Sequence, residues 1–160
     1  MSYEETQKEL SQRHRTAMIV SGSFFILTIA LVGIAFTLAE RLYRPGNTRL
    51  SLALWIAILV LGLGAFILQR ARFAVSRLQD IAVLRGVSGL LKDMQGSAIL
   101  IATIGGAIAL MGFIITVRTG DESNMIRAGA IALVILIYCY PRKSVWQRVV
   151  DWLERKNAPG

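Results

Sequence analysis

"MQGSAILIATIGGAIALMGFIITV", residues 94–117, is twenty-four residues long and carries no charge. As a helix rising ~1.5 Å per residue it reaches ~36 Å, more than a bilayer's hydrocarbon core of ~30 Å. Its apolar residues leave no polar stripe at helical spacing, whereas a helix of a soluble four-helix bundle needs one face for water. Lipid accepts a segment of this kind because a helix pairs all its backbone groups internally. The stretch therefore reads as a membrane span and sets the fold class.

Two more uncharged runs lie upstream, Ala17 to Ala39 and Leu50 to Gln69. A fourth, Ala128 to Pro141, is shorter. Extended back to Asn124 it gives a helix of Asn124 to Tyr140, roughly 25 Å long. The chain has 160 residues, 54% hydrophobic and 18% charged, and the charges fall between the runs. The expected fold is all-α: an integral membrane four-helix transmembrane bundle of two hairpins, followed by a C-terminal interfacial amphipathic helix. Its spans are 17–39, 50–69, 94–117 and 124–140. They are flanked by a tail at 1–16, a connection at 70–93 and an amphipathic tail at 141–160. A cleaved signal peptide fits less well. Arg13 and Arg15 precede the first run, but the run is too long and "AFTLAE" lacks a small-x-small cleavage site.

Lysines and arginines orient the spans. Thirteen lie in the N-terminal tail, the 70–93 connection and the C-terminal tail, against five in the other two loops. The positive-inside rule places the thirteen in the cytoplasm, so both termini are expected there, in a plasma or inner membrane. The net charge of +8 then reflects topology and anionic headgroups, and no nucleic-acid partner is expected.

Between the spans the reading is coarser. Residues 1–16 are polar, with Glu4 and Glu5 one turn ahead of Lys8, and predict a solvated, partly helical tail. Pro45-Gly46-Asn47 marks a turn, with Tyr43 and Trp55 as interfacial aromatics. Residues 70–85 predict a helix continuing the second span, broken by Gly86 and Gly89. Pro141 ends the fourth. The halves share a spacing: Gly33 and Thr37 match Gly112 and Thr116 at one offset, which a hairpin duplication would explain. Such matches arise cheaply in biased composition.

Three features are candidates for function. In the third span Ala98, Ala102, Gly105, Gly106, Ala109 and Gly112 recur every three or four residues, a seam for close helix approach in lipid. Gly33 leads a similar stripe in the first span. Such seams serve packing within the chain or an oligomer contact. After Pro141, Val145, Trp146, Val149, Val150, Trp152 and Leu153 fill one arc of a helix, opposite a charged arc. That pattern predicts a helix lying in the membrane interface, with Arg142, Lys143, Arg148 and Arg155 at anionic headgroups and Trp146 and Trp152 in the acyl boundary. The same face would also fit a helix of another protein or the 70–85 segment. Finally, no Asp or Glu lies inside any span, where ion- and proton-coupled carriers usually keep one.

His14 is the single histidine and lies outside the spans, so neither a bis-histidine haem nor a Ser-His nucleophile can form within them. Cys139 is the single cysteine, which excludes an intrachain disulfide. Arg127, one turn from the outer end of its span, can snorkel toward Asp121 or Glu122. No cofactor, metal site or enzyme chemistry is expected. The expected role is an accessory, assembly or scaffold subunit of a larger membrane complex, in a homo- or hetero-oligomer with membrane lipids around it. The alternative is a small uncoupled channel or transporter built from two similar hairpins.

Overall fold

The computed structural model describes residues 3–43, 48–72, 75–138, 140, 144 and 146–147. Four helices account for nearly all of these: α1 (Tyr3–Leu42), α2 (Thr48–Arg72), α3 (Val75–Thr119) and α4 (Ser123–Tyr138). Among the described residues there is no strand. Three of the helices, α1, α2 and α3, are long and apolar enough to cross a membrane. With 16 residues, α4 is shorter, about 24 Å.

Two helices run well past their apolar runs. At 40 and 45 residues, α1 and α3 measure about 60 and 67 Å, roughly twice a hydrocarbon core. The excess lies at the N-terminal end of each. In α1, acidic Glu4 and Glu5 suit the positive end of the helix dipole, and Glu9 pairs with Arg13 one turn on. Residues 3–16 are therefore helical, and they are not simply solvated: Thr6, Leu10, His14 and Ala17 are buried. In α3 the helix continues through Gly86 and Gly89, so the expected break does not occur. A helical glycine costs only about 1 kcal/mol relative to alanine. The neighbouring Leu90, Leu91 and Met94 are buried, which offsets that cost.

The contacts give each helix its direction. Glu9 meets Ser88, Arg13 meets Gln95 and Phe24 meets Gly106, so α1 and α3 run parallel at an offset of about eighty residues. Gly105 lies against Leu136 and Gly112 against Ala128, so α4 runs antiparallel to α3. Gly62 of α2 faces Ile131 and Ile135, and Phe66 stacks on Tyr138 at 5.6 Å, so α2 runs parallel to α4. The α3–α4 turn is tight. Gly120 takes a φ of 70° that favours glycine, and its N–H returns to the Thr116 carbonyl at 2.8 Å, closing the helix end. Asp121 then accepts from the Ser123 N–H at 3.0 Å to open α4.

The core is aliphatic. Leu31, Ala35, Ile58, Ala65, Ile101, Ile108, Ala109, Ile115, Met125, Ala128, Ala132 and Ile135 form one cluster drawn from all four helices. At its centre is α3: half of its most apolar window is buried, against 22% for α1 and 11% for α2. Outside, large apolar side chains such as Ile26, Leu52, Leu59, Leu63 and Val134 are more than 60% exposed. A surface of that kind is untenable in water and ordinary in lipid.

One expectation about pairing fails. Only the second half forms a packed hairpin. Among the described residues no Cα of α1 lies within 8 Å of one in α2, although the two helices are consecutive. Lipid supplies no hydrophobic drive between helices, so close contact goes where small residues permit it. The small residues of α3 receive α1 and α4, whereas Gly33 of α1 points outward with nothing within 4 Å of a Cβ there.

Candidate functional site

The residues of the third-span seam are all enclosed. Ala98, Ala102 and Ala109 are at most 5% exposed, and Gly105, Gly106 and Gly112 are buried. A Cβ on Gly106 would overlap the Phe24 ring, and one on Gly112 would overlap the Ala128 methyl. At Gly105 the nearest atom would be the Leu136 Cγ at 3.0 Å. Thus Gly106 seats α1, while Gly105 and Gly112 seat α4. The seam joins helices of this chain, and Gly33 has no place in it.

The polar chemistry collects where α1 and α3 run past the apolar bundle. Glu9 is the hub. Its Oε1 accepts from Arg13 Nε at 2.8 Å and from the Ser88 hydroxyl at 2.7 Å. Arg13 Nη1 donates on to Gln95 Oε1 at 3.1 Å, closing a ladder between the two helices. The Ser88 hydrogen bond, helped by Arg13, holds the Glu9 carboxyl below its ordinary value against the opposing effect of burial. Glu9, Gln12, Arg13, Thr16 and Gln95 line a hollow of about 330 Å³ next to this ladder.

One tail residue joins the same region. Trp146 is 1% exposed, and its indole stands edge-on to the His14 ring, 5.6 Å away at 85°. T-shaped aromatic pairs of this geometry add about 0.5–1.5 kcal/mol beyond the area they bury. Trp146 therefore packs on α1 of its own chain. A tryptophan in an apolar arc signals burial, and the sequence does not say against what. Arg142, Lys143, Arg148, Trp152 and Arg155, and also Cys139, lie outside the described residues.

A shallower groove opens sideways between α1 and α4, about 500 Å³, lined by Ser21, Gly22, Phe25, Ile26, Leu136, Ile137 and Tyr140. Within the bundle most hydroxyls are already engaged. Ser23, Thr28, Thr37 and Thr103 each donate to the carbonyl one turn back on their own helix. Thr116 is the exception: its hydroxyl is buried with no partner among the described residues. At the far end Asp121 is held below its ordinary value by hydrogen bonds from Ser123. Arg127 is exposed there, and no ion pair joins it to Asp121 or Glu122. Among the described residues no group of three or more His, Cys, Asp or Glu could hold a metal ion.

No protein-family model, curated protein or solved structure matches this chain.

Proposed function

We propose that this chain is a non-catalytic, multi-pass membrane subunit: an accessory, assembly or scaffold component of a larger membrane complex. The observation that carries the proposal is the distribution of polar side chains. The bundle interior is filled by aliphatic and small residues, its perimeter is apolar, and the polar ladder is confined to one end, near the start of the apolar runs of α1 and α3. A filled interior whose hydroxyls mostly bond their own helices offers a poor path for an ion or solute. It supports a subunit over a channel or transporter. The ladder, with Trp146 seated beside it, gives the chain a rigid extramembrane platform, which is what a scaffold presents.

In this reading all four helices span, with both termini in the cytoplasm. The alternating helix directions bring the starts of α1 and α3 and the ends of α2 and α4 to one end, in keeping with the thirteen-to-five distribution of Lys and Arg. A helix of α4's length spans with modest local thinning of the bilayer, and Arg127 reaches the outer interface by snorkelling. The platform then faces the cytoplasm, and the tail beyond Trp146 brings Arg148 and Arg155 near anionic headgroups, each adding ~1 kcal/mol at low salt. Purification from native membranes without crosslinking tests the proposal. Stoichiometric co-purification with a larger complex is expected. Solute or ion flux through liposomes containing this chain alone would overturn it.

A further inference from the structure

Resting on that subunit reading, we infer that the open face of α3 between α1 and α2 is the seat for one transmembrane helix of a different protein, acidic at both membrane boundaries. Three observations converge on this face. Leu100, Leu110 and Ile114 are 42–45% exposed, although α3 is the most enclosed helix of the molecule. Gly96 and Thr103 are exposed with them, and Ala107 lies half-buried among them. At ~100° per residue these six fall on one arc roughly 80° wide, on the side of α3 opposite Gly105 and Gly112. Their spacing alternates four and three residues throughout, the 3.5-residue repeat of a left-handed helix pair. Neither flanking helix closes over them, because α1 and α2 do not approach each other.

The mixture of sizes is specific. Gly96, Thr103 and Ala107 leave hollows between Leu100, Leu110 and Ile114, so a neighbour with large side chains can interlock with this face. Lipid tails need no such repeat.

Charge decides the occupant. Lys92 and Arg118 are exposed on the same side of α3, one beyond each end of the apolar stripe. They are 26 positions apart, about 39 Å along the helix. Neither has an ion-pair partner among the described residues. In a two-fold dimer of this chain, the residues on a shared α3 face would meet their own counterparts, Lys92 against Lys92 and Arg118 against Arg118. Like charges so placed oppose a second copy. A foreign helix carrying Asp or Glu at each end would satisfy both.

Photo-crosslinking in native membranes tests the inference, with a benzophenone-bearing residue in place of Ala107 and, as a control, in place of exposed Leu59 on α2. Position 107 should give one discrete protein adduct, mapped by mass spectrometry to an apolar run bounded by Asp or Glu at both ends. Position 59 should give lipid adducts. Combining Lys92→Glu with Arg118→Glu should lower the adduct yield at position 107 at least tenfold, normalised to the amount of chain in the membrane. Lipid adducts alone at position 107, an adduct of two copies, a partner run without flanking acids, or a yield indifferent to charge reversal would each overturn the inference. If a complex co-purifies while position 107 meets only lipid, the subunit reading stands and this seat does not. If neither a complex nor a protein adduct appears, both fall.

Discussion

Gly33 and Gly112 occupy corresponding places in the two halves of the sequence, yet their surroundings are opposite. Gly112 is closed against Ala128, with no space for a single added carbon, while Gly33 faces outward with nothing near it. The same contrast holds for the halves as wholes: α3 and α4 pack as a hairpin, and α1 and α2 stay apart. A small residue in a membrane span permits close approach and does not command it. The second half has small residues on both partners, Gly112 meeting Ala128. The first half places its small stripe on an outer face of α1, and α1 is held instead by Phe24 over Gly106, by the Glu9 ladder and by Trp146.

The largest test of this difference removes the Trp146 hold on α1. Trp146→Ala should cost about 3–5 kcal/mol locally, the usual cost of emptying a buried tryptophan site in a water-facing core. Hydrogen exchange over residues 5–16 should then accelerate, while α3 and α4 keep their protection. Equal loss in both halves would mean that the platform and the bundle are one cooperative unit.

Next in size is Gly112→Ala. The added methyl overlaps that of Ala128, which cannot rotate away, so α3 and α4 must separate; about 1–3 kcal/mol is expected from reversible unfolding in detergent. Gly33→Ala should cost nothing in the same assay and gain up to about 1 kcal/mol, since nothing surrounds the site and alanine is the better helix former. A similar loss at both glycines would erase the contrast.

Glu9 gives a smaller, pH-dependent effect. Its folded carboxyl titrates below the ordinary value of 4.5, so its contribution is present above that value and is lost as pH falls through the depressed pKa. Exchange over residues 5–16, corrected for the intrinsic pH dependence of amide exchange, should be independent of pH near neutrality and rise in acid. Glu9→Gln should flatten that rise; an unchanged acid response would place the titrating group elsewhere.

The helical class, the long spans and the seam of α3 were legible in the sequence, because uncharged length and the spacing of small residues translate directly into membrane structure. Pairing was not legible. Whether α2 lies on α1 or on α3 depends on which of several similar apolar faces meets which, and that is decided between helices rather than within one. The breaks expected at Gly86 and Gly89 misjudged a local cost of about 1 kcal/mol each, which the burial of Leu90 and Leu91 outweighs. Its place in an apolar arc pointed Trp146 to the acyl boundary or to a partner helix. Nothing in its own segment named His14, more than a hundred residues upstream, as the ring it would meet.

The separation of α1 from α2 is the feature on which the open α3 face depends, and oxidative crosslinking tests it most directly. In a chain carrying Cys139→Ser, cysteines replace Ala30, Gly33 or Thr37 on α1 in combination with Ala53, Ala57 or Val60 on α2, positions that cover about two overlapping turns of each helix. The reference pair replaces Ala109 and Ala132, which the Gly105–Leu136 and Gly112–Ala128 contacts bring level across α3 and α4. A disulfide needs Cα atoms within about 7 Å. The reference pair should link and none of the nine α1–α2 pairs should. An α1–α2 pair that links as fast as the reference would close the face and contradict the account.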